Sequence, residues 1–440
     1  MKTKQESSTV LPINCFCTKR TLLCIALVLL LSLMGCGAED SVTSREGEVQ
    51  QVTILAEASP FLEKCIAAFN GQNSNYEVAL LDWSEEPYLE DAQLRLQAQL
   101  VAGNGPDLID SNLIHLYPFA HNGYLEPVEE WLMQYENLLP QAVSSGQAGD
   151  HCYIIPYQIR VQSLVTTGEI ADGRTAWTLE EMLDTAIQRQ TTTLYLGARS
   201  WDVLYCMLTY DEENPTYVDW EQKLCHFDTE EFVALLEYTK QWGDTQSLLI
   251  SDHMDREFAD GHVLTQRIYP SVGSSSLADY YRFLSELGED CVYIGFPVEN
   301  GNGTFVDGKG YVINSASKCK DGAKEFMDYL LLPEQQLAMW RELDSLPADL
   351  QVLELIMTEY ASELYTEEEA QYLFSKKYGA EEASRYLQIL KNSKAQGKQY
   401  DDIVNIIYDE TSGYYEGNRD PWEVARVLQN RIQLYLNEQK

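Results

Sequence analysis

The chain has little positive charge. Its 440 residues include 31 lysines and arginines but 69 aspartates and glutamates, and the formal net charge at pH 7 is -38. A surface of this sign repels nucleic acids and anionic lipid headgroups, so neither is expected as a partner. The same balance argues against a polyanionic ligand, unless a local basic pocket overrides the average.

Sequence signatures of common enzyme classes are also missing. The chain contains neither H-E-x-x-H nor G-x-S-x-G, and it has only 6 histidines. We therefore predict no enzymatic turnover and no cofactor. The main alternative is an enzyme that acts on glycans through two carboxylates. With 69 acidic residues, possible carboxylate pairs are so numerous that they neither support nor exclude this alternative.

Cysteine is thinly spread over the body of the chain. After residue 36 the cysteines form no C-x-x-C pair, and no histidine stands at zinc-finger spacing from them. These residues are Cys65, Cys152, Cys206, Cys225, Cys291 and Cys319. The sequence therefore predicts no metal site and mostly buried thiols, and it leaves open whether one pair forms a disulfide.

Only one long apolar run is present, and it lies near the N-terminus. Two basic residues precede the apolar residues 21–34, and Gly35 and Cys36 follow. The run is shorter than the roughly 20 residues that a membrane-spanning helix needs, which favours a secretory signal peptide over residues 1–35. No later run approaches membrane length, so the rest of the chain is expected to lie outside the bilayer.

The end of this run resembles the lipobox of bacterial lipoproteins. In that motif, matched here by Leu33, Met34, Gly35 and Cys36, the cysteine is lipidated and becomes the first residue of the mature chain. The resemblance implies an acyl lipid such as palmitate on Cys36. Residues 36–50 are polar and are predicted to form a flexible linker. The alternative is a signal peptide that contains a cysteine by coincidence.

Strands and helices alternate in the first part of the body. Hydrophobic periodicity predicts strands over 52–57, 76–83 and the end of 103–111, with helices over 60–70 and 88–101 between them. Because parallel strands need crossover connections, this order predicts a parallel sheet with helices on its faces. The body exceeds the usual size of one hydrophobic core, so two domains are expected.

The pattern changes in the middle of the chain. Residues 149–167 form two extended runs broken by Pro156, as expected of a crossover between domains. The elements predicted after this crossover are helices over 175–188 and 227–242 and extended segments over 191–198, 263–269, 292–298 and 311–314. From Lys318 onwards the chain is predicted to be almost wholly helical.

Capping residues mark three of these helix starts. Thr178 and Glu181 have the spacing of a capping box. Asp228 is predicted to open the helix over 227–242, and Asp420 is predicted to cap the last helix, with Pro421 at its first position. The apolar stripe of this last helix is expected to consist of Trp422, Ala425, Leu428, Ile432 and Tyr435.

The glycine-rich residues 299–310 lie between two predicted strands. A glycine loop of this kind can cradle phosphate, but here no helix and no P-loop lysine pattern follows it. We therefore predict a hairpin turn.

The order of several motifs resembles a known family, the extracellular solute-binding proteins of bacterial ABC importers, in the group that includes the maltodextrin-binding proteins. The motifs are LVAGNGPDLID (100–110), FAHNGYLEPVEEWL (119–132), AWTLEEML (176–183), the stretch 293–336 with its Gly-Phe-Pro strand and glycine loop, and the terminal helices 406–438. Each motif alone is weak, but their order behind a lipobox is specific. The resemblance covers the chain from about Val49 to Glu438, with a longer segment at 350–399 than in the maltodextrin-binding type.

The resemblance implies an α/β fold of the periplasmic-binding-protein type, with two lobes, a hinge, a cleft between the lobes and a helical C-terminal region. Lobe 1 would comprise residues 51–157 with 292–333, and lobe 2 would comprise 158–291 with 334–440. A small solute, most often a carbohydrate, would bind in the cleft and close the lobes. The expected protein is a lipid-anchored monomer on the outer face of a bacterial cell membrane, in a Gram-positive organism, that delivers its solute to importer membrane subunits. An adhesin or scaffold on the same fold is the second alternative.

Ligands of parallel sheets lie beyond the carboxyl ends of the strands, so the loops that follow the strands are the expected binding site. These loops combine aromatic rings with carboxylates, amides and arginine, a mixture that suits a sugar. The predicted ligand-binding residues are Glu57, Trp83, Asp110, Arg199, Trp201 and Tyr269. The competing interpretation is that the rings only pack and that Arg199 or Arg267 only ties a loop. Tyr157, in the crossover, is expected to be structural.

Overall fold

The architecture comes from a computed structural model. It describes residues 49–84, 89–191, 193–195, 200–210, 217–240, 261–268, 277–298, 301–374, 376–398 and 400–438. The chain from Val49 to Lys440 forms one compact unit. The predicted signal peptide, Cys36 and most of the linker lie outside the described residues.

The described strands are β1 (Gln50–Ala56), β2 (Tyr76–Asp82), β3 (Leu108–Asp110), β4 (Gln147–Ala148), β5 (His151–Cys152), β6 (Ile155–Gln162), β7 (Leu164–Thr166), β8 (Thr193–Tyr195), β9 (Val218–Asp219), β10 (Leu224–Cys225), β11 (Val263–Arg267), β12 (Val292–Tyr293), β13 (Phe305–Ile313), β14 (Leu346–Pro347) and β15 (Lys394–Ala395). The described helices are α1 (Pro60–Gln72), α2 (Leu89–Val101), α3 (Leu116–His121), α4 (Glu129–Leu132), α5 (Pro140–Ser144), α6 (Gly168–Ala171), α7 (Leu179–Arg189), α8 (Ser200–Tyr210), α9 (Glu230–Lys240), α10 (Leu277–Leu287), α11 (Lys320–Leu330), α12 (Pro333–Leu343), α13 (Leu350–Leu355), α14 (Glu367–Phe374), α15 (Ala380–Lys391), α16 (Val404–Tyr415) and α17 (Pro421–Glu438).

The predicted alternation of strands and helices at the start of the body is confirmed. Strand β1 pairs in parallel with both β2 and β3, and α1 and α2 are the crossovers between them. Ser59 accepts a hydrogen bond from the Leu62 N–H and Pro60 begins the helix, so α1 starts directly beyond the carboxyl end of β1. The full order of this first sheet is β14-β6-β13-β3-β1-β2, and β15 also pairs with β13.

The predicted crossover lies where the first sheet leads into a second one. Strand β6 belongs to the first sheet and β7 to the second, whose order is β12-β7-β11-β8, and only Ser163 separates them. The chain returns from β12 to β13. The two passages are joined by a hydrogen bond of 2.7 Å between the hydroxyl groups of Ser163 and Thr304, both fully buried.

Two predictions in this region are wrong. Pro156 does not break the extended run, because it lies inside β6, where its neighbour across the sheet is Gly310. Residues 305–310 are not part of a turn, because β13 begins at Phe305 and runs through the middle of the sheet. Packing explains the glycine here: a Cβ on Gly310 would lie 1.8 Å from the Ile155 carbonyl oxygen.

Helix capping agrees with the sequence in two of three places. Thr178 and Glu181 form both bonds of the capping box of α7. Asp420 accepts bonds from the first backbone N–H groups of α17. The third prediction is wrong, because Thr229 and not Asp228 accepts a hydrogen bond from the Phe232 N–H at the start of α9. In α17 the middle of the predicted stripe is buried as expected, at Ala425, Leu428 and Ile432. At its ends, Trp422 is exposed and Tyr435 is half-buried.

The segment after residue 350 packs on the main core. Its π-helical turn Ile356–Tyr360 places Ile356 and Met357 in the largest buried cluster. Helix α15 meets α10 through stacked rings of Tyr386 and Tyr280, whose centroids are 4.8 Å apart. A second cluster of buried residues lies among α8, α9, α16 and α17. The cysteines whose side chains are described are free thiols: Cys65, Cys152, Cys225, Cys291 and Cys319.

Candidate functional site

A small cavity lies beyond the carboxyl ends of β1 and β3, against the face of β6. Its volume is about 300 Å³. It is lined by Glu57, Ala58, Ser59, Leu62, Asp110, Asn112, Tyr157, Gln158, Ile159, Arg160, Tyr311, Leu343, Asp344, Ser345 and Leu346. Carboxylates, an amide, hydroxyl groups and a guanidinium therefore converge on one space beside two tyrosine rings.

Asp110 is an acid of this cavity whose carboxylate is held in place by hydrogen bonds. It ends β3, and its Oδ1 accepts hydrogen bonds from the Asn112 backbone N–H at 2.8 Å and side-chain amide at 2.9 Å. These bonds cap the short turn Ser111–Leu113 and fix the carboxylate at the strand end. Burial raises the pKa of Asp110, and the Asn112 N–H and the charge of Lys309 oppose this effect.

Glu57 and Trp83 follow the first two strands. Glu57 is exposed and lines the same cavity as Asp110. The indole nitrogen of Trp83 is buried, has no hydrogen-bond partner in the described part of the chain, and lies close enough to Asp110 to lower its pKa slightly. The structure therefore brings together three of the predicted residues, Glu57, Trp83 and Asp110.

Two stacked tyrosines line the cavity beside Asp110. The rings of Tyr157 and Tyr311 are 5.4 Å apart at an angle of 9°. A register shift between Lys309 and Gly310 offsets β13 against β6 here. Burial raises the pKa of both phenols, and the nearby Asp110 charge adds to this. Tyr157, which the sequence marked as structural, therefore also lines the cavity.

A buried network of charges adjoins the cavity. Asp307 on β13 holds Lys309 by its Oδ2, at 2.8 Å, and Lys398 by its Oδ1. Burial pushes the pKa of Asp307 upward, but the two ammonium groups outweigh it and hold the pKa below its ordinary value. These residues escaped the sequence analysis because Asp307 and Lys309 stand among glycines that suggested a turn, and Lys398 lies far away in the chain.

A second cavity, of about 670 Å³, lies between α3, the β4–β5 hairpin and the β9–β10 hairpin. Tyr117 and Trp220 both line it and contact each other, with ring centroids 5.5 Å apart. Nearby, His115 forms an ion pair with Asp402, whose Oδ1 is 2.6 Å from Nδ1. Burial lowers the pKa of His115, but the Asp402 carboxylate outweighs it and raises the pKa above the ordinary value. The aromatic pair and the ion pair join distant parts of the chain.

The other predicted residues lie elsewhere or outside the description. Trp201 is half-buried on α8 and packs against Tyr205 and Tyr408. Arg199, Tyr269 and Cys36 lie outside the described residues. Arg267 is 7% exposed, and its guanidinium lies 5.8 Å from the centre of the Tyr205 ring.

The described residues show neither a metal-binding cluster nor a membrane-spanning helix. They contain no group of three or more histidines, cysteines and acids placed to hold a metal ion. None of their helices is long and apolar enough to cross a membrane.

The sequence from residue 64 to 367 matches the model of a family described as bacterial extracellular solute-binding proteins. The chain belongs to this family. No curated protein sequence matches this solute-binding protein.

Solved structures show the same fold. The sugar-binding protein MalE from Xanthomonas citri is 17% identical, with a TM-score of 0.59 over 88% of this chain and 98% of that one. An ABC transporter solute-binding protein from Thermotoga lettingae, bound with α-D-tagatose, is 16% identical, with a TM-score of 0.53 over 88% and 100%. The extracellular solute-binding protein from Staphylococcus aureus in complex with maltose is 14% identical, with a TM-score of 0.54 over 89% and 98%. This solute-binding protein therefore has the two-lobed periplasmic-binding-protein fold.

Proposed function

We propose that the protein is a receptor that captures a sugar or oligosaccharide outside the cell and delivers it to an ABC importer. The observation that carries the proposal is the cavity at the ends of β1 and β3, which gathers carboxylates, an amide and tyrosine rings in a member of a solute-binding family. Planar polar groups suit sugar hydroxyls, and rings suit the CH faces of sugars. The sugars named with the similar structures support the same choice.

The solute would be held by Glu57, Trp83, Asp110, Arg199, Trp201 and Tyr269. We assign residues 51–157 with 292–333 to lobe 1, and 158–291 with 334–440 to lobe 2. Under this division the contacts of Tyr117 with Trp220 and of His115 with Asp402 both join the lobes. Contacts of this kind would help to set the balance between open and closed forms, which the solute then shifts.

The remaining parts of the proposal concern location and partners. Residues 1–35 would act as a signal peptide, and a lipid on Cys36 would hold the monomeric receptor on the outer face of the cell membrane of a Gram-positive bacterium. Residues 36–50 would be the flexible tether. The membrane subunits of the importer would be the protein partners, and the receptor itself would carry out no turnover.

A ligand screen of the purified protein tests this function. The panel contains neutral and acidic mono- and oligosaccharides, amino acids and polyamines, and binding is read from the shift in Tm and from tryptophan fluorescence. At least one sugar should raise Tm and change the fluorescence saturably. The absence of both signals throughout the panel would favour the adhesin or scaffold alternative, and release of reducing sugar from a glycan would favour the enzyme.

A further inference from the structure

Arg160 supplies a positive charge at the wall of the small cavity. Its side chain is half-buried and lines the cavity. In the described part of the chain, its guanidinium makes no hydrogen bond and no ion pair. A guanidinium in such a position has five donors available for a ligand.

The nearest acids do not neutralise Arg160. Asp307 lies directly opposite it in the register of β6 and β13, but each oxygen of Asp307 already holds a lysine. Asp110 is close enough to feel the charge of Arg160, yet its Oδ1 is engaged by Asn112 and the two residues form no ion pair.

Further charged groups lie close to Arg160. Arg160, Lys309 and Lys398 lie around Asp307, whose pKa is held below its ordinary value, and Asp401 is a second acid near the two lysines. The acids that line the cavity itself are Asp110, Glu57, which is exposed, and Asp344, which ends α12. Among the described residues that line the cavity, Arg160 is therefore the one basic side chain, and its guanidinium is open to an anionic group of a ligand.

We propose that the solute is an acidic sugar, whose carboxylate pairs with the guanidinium of Arg160 while its hydroxyl groups meet Asp110, Asn112 and Gln158. This inference rests on the proposed function and narrows it. A carboxylate accepts two parallel hydrogen bonds from the fork of an arginine, a match that neither a hydroxyl group nor a lysine provides. A phosphate monoester carries up to two negative charges and would face Glu57 and Asp110, so a single carboxylate fits this wall better.

The test compares matched pairs of ligands on the purified protein by titration calorimetry. The pairs are glucuronate with glucose, galacturonate with galactose, and digalacturonate with galactobiose, and glucose 6-phosphate and galactose 6-phosphate serve as additional arms. At least one acidic member should bind about 10-fold to 100-fold more tightly than its neutral partner, as expected of a charge-assisted hydrogen bond. It should also bind more tightly than the sugar phosphates.

Variants assign the preference to Arg160. Arg160→Gln should remove the preference for the acid and change the affinity of the neutral sugar by less than about 3-fold, because glutamine still offers a neutral hydrogen bond. Arg160→Lys keeps the charge without the fork and should retain part of the preference. Arg426→Gln, the same change on the exposed face of α17, is the control and should leave both affinities unchanged.

The outcomes distinguish a failure of the acidic-sugar inference from a failure of the proposed function as a sugar receptor. If neutral sugars bind as tightly as their acids, or if the preference survives Arg160→Gln, the acidic-sugar inference is wrong and the sugar receptor stands. Tighter binding of the sugar phosphates would also overturn the carboxylate assignment. If no sugar of either kind binds, both are wrong. If Arg160→Gln does not fold, Arg160→Lys is used in its place. A smaller preference for the acidic sugar than in the wild type would then support the inference, and an unchanged preference would contradict it.

Discussion

Arg160 and Asp307 face each other on neighbouring strands, yet their side chains do not pair. Asp307 is instead held by Lys309 on its own strand and by Lys398 from a segment near β15. The carboxylate thus ties β13, in the middle of the first sheet, to the segment that follows β15. The arginine is left on the wall of the cavity, so one arrangement serves both the stability of the sheet and the chemistry of the site.

Loss of the Asp307 carboxylate should be strongly destabilising. Asp307→Asn removes the carboxylate that Lys309 and the buried Lys398 share, which should lower the free energy of unfolding at pH 7 by about 3–5 kcal/mol. Urea unfolding measures this value. Asp409→Asn, on an exposed position of α16, is the matched control and should cost less than about 0.5 kcal/mol.

The loss of stability in Asp307→Asn should depend on pH. Because the pKa of Asp307 is held below its ordinary value of 3.8 in the folded protein, its contribution is fully present above that value and is lost as the pH falls towards the folded pKa. The gap between wild type and Asp307→Asn should therefore stay constant from pH 8 to pH 5 and narrow at pH 3. A gap of constant size down to pH 3 would contradict the ionised network.

His115 should contribute to stability mainly at low pH. The carboxylate of Asp402 raises the pKa of His115 despite its burial, so the contribution is fully present below the ordinary histidine value of 6.5 and is lost as the pH rises through the folded pKa. The charge of Asp401 adds to the same effect on the pKa of His115. Thermal unfolding of His115→Gln should show a larger deficit at pH 5.5 than at pH 9. The exposed control His226→Gln should show no such trend.

Two glycines should respond in opposite ways to alanine. Gly310→Ala places a Cβ 1.8 Å from the Ile155 carbonyl oxygen, and the strain should cost about 1–3 kcal/mol or more. Gly71→Ala, near the end of α1, meets no atom within 4 Å and should stabilise the protein by about 0.5–1 kcal/mol. Equal effects of the two changes on Tm would show that Gly310 is not closely packed against β6.

Removal of the lipid attachment site should separate location from binding. Cys36→Ala should abolish incorporation of labelled palmitate and release the protein from the membrane fraction, while the affinity for the solute stays unchanged. Cys319→Ala, at a half-buried free thiol, should keep the label. Loss of solute affinity in Cys36→Ala would mean that tether and receptor are not independent.

Local sequence patterns were sufficient to predict the parallel part of the first sheet. Apolar strands followed by a cap and an amphipathic helix define β1, α1 and β2, because each signal lies within a few residues. The carboxyl-end rule also brought Glu57 and Asp110 to one cavity. These features depend on neighbours in sequence, which the sequence displays directly.

The charged network could not be predicted in the same way. Glycines in β13 are required by close contact with β6, but without knowledge of that partner they resemble the glycines of a turn. Lys398 reaches Asp307 across 91 positions of the sequence. The sequence also does not show that Arg160 lacks an ion pair with Asp307. That follows from the folded sheet, in which both oxygens of Asp307 are bound by lysines.

Titration calorimetry with Asp110→Asn tests the central claim most directly. The sugar that gives the largest Tm shift should bind the wild type at one site per chain, and the variant should bind it at least about 10-fold more weakly at unchanged folding, because a charged hydrogen-bond acceptor is lost. Asp228→Asn, at an exposed position, should match the wild type. Undiminished affinity in Asp110→Asn, or the lack of saturable binding by any sugar, would contradict a sugar receptor whose site lies at the ends of β1 and β3.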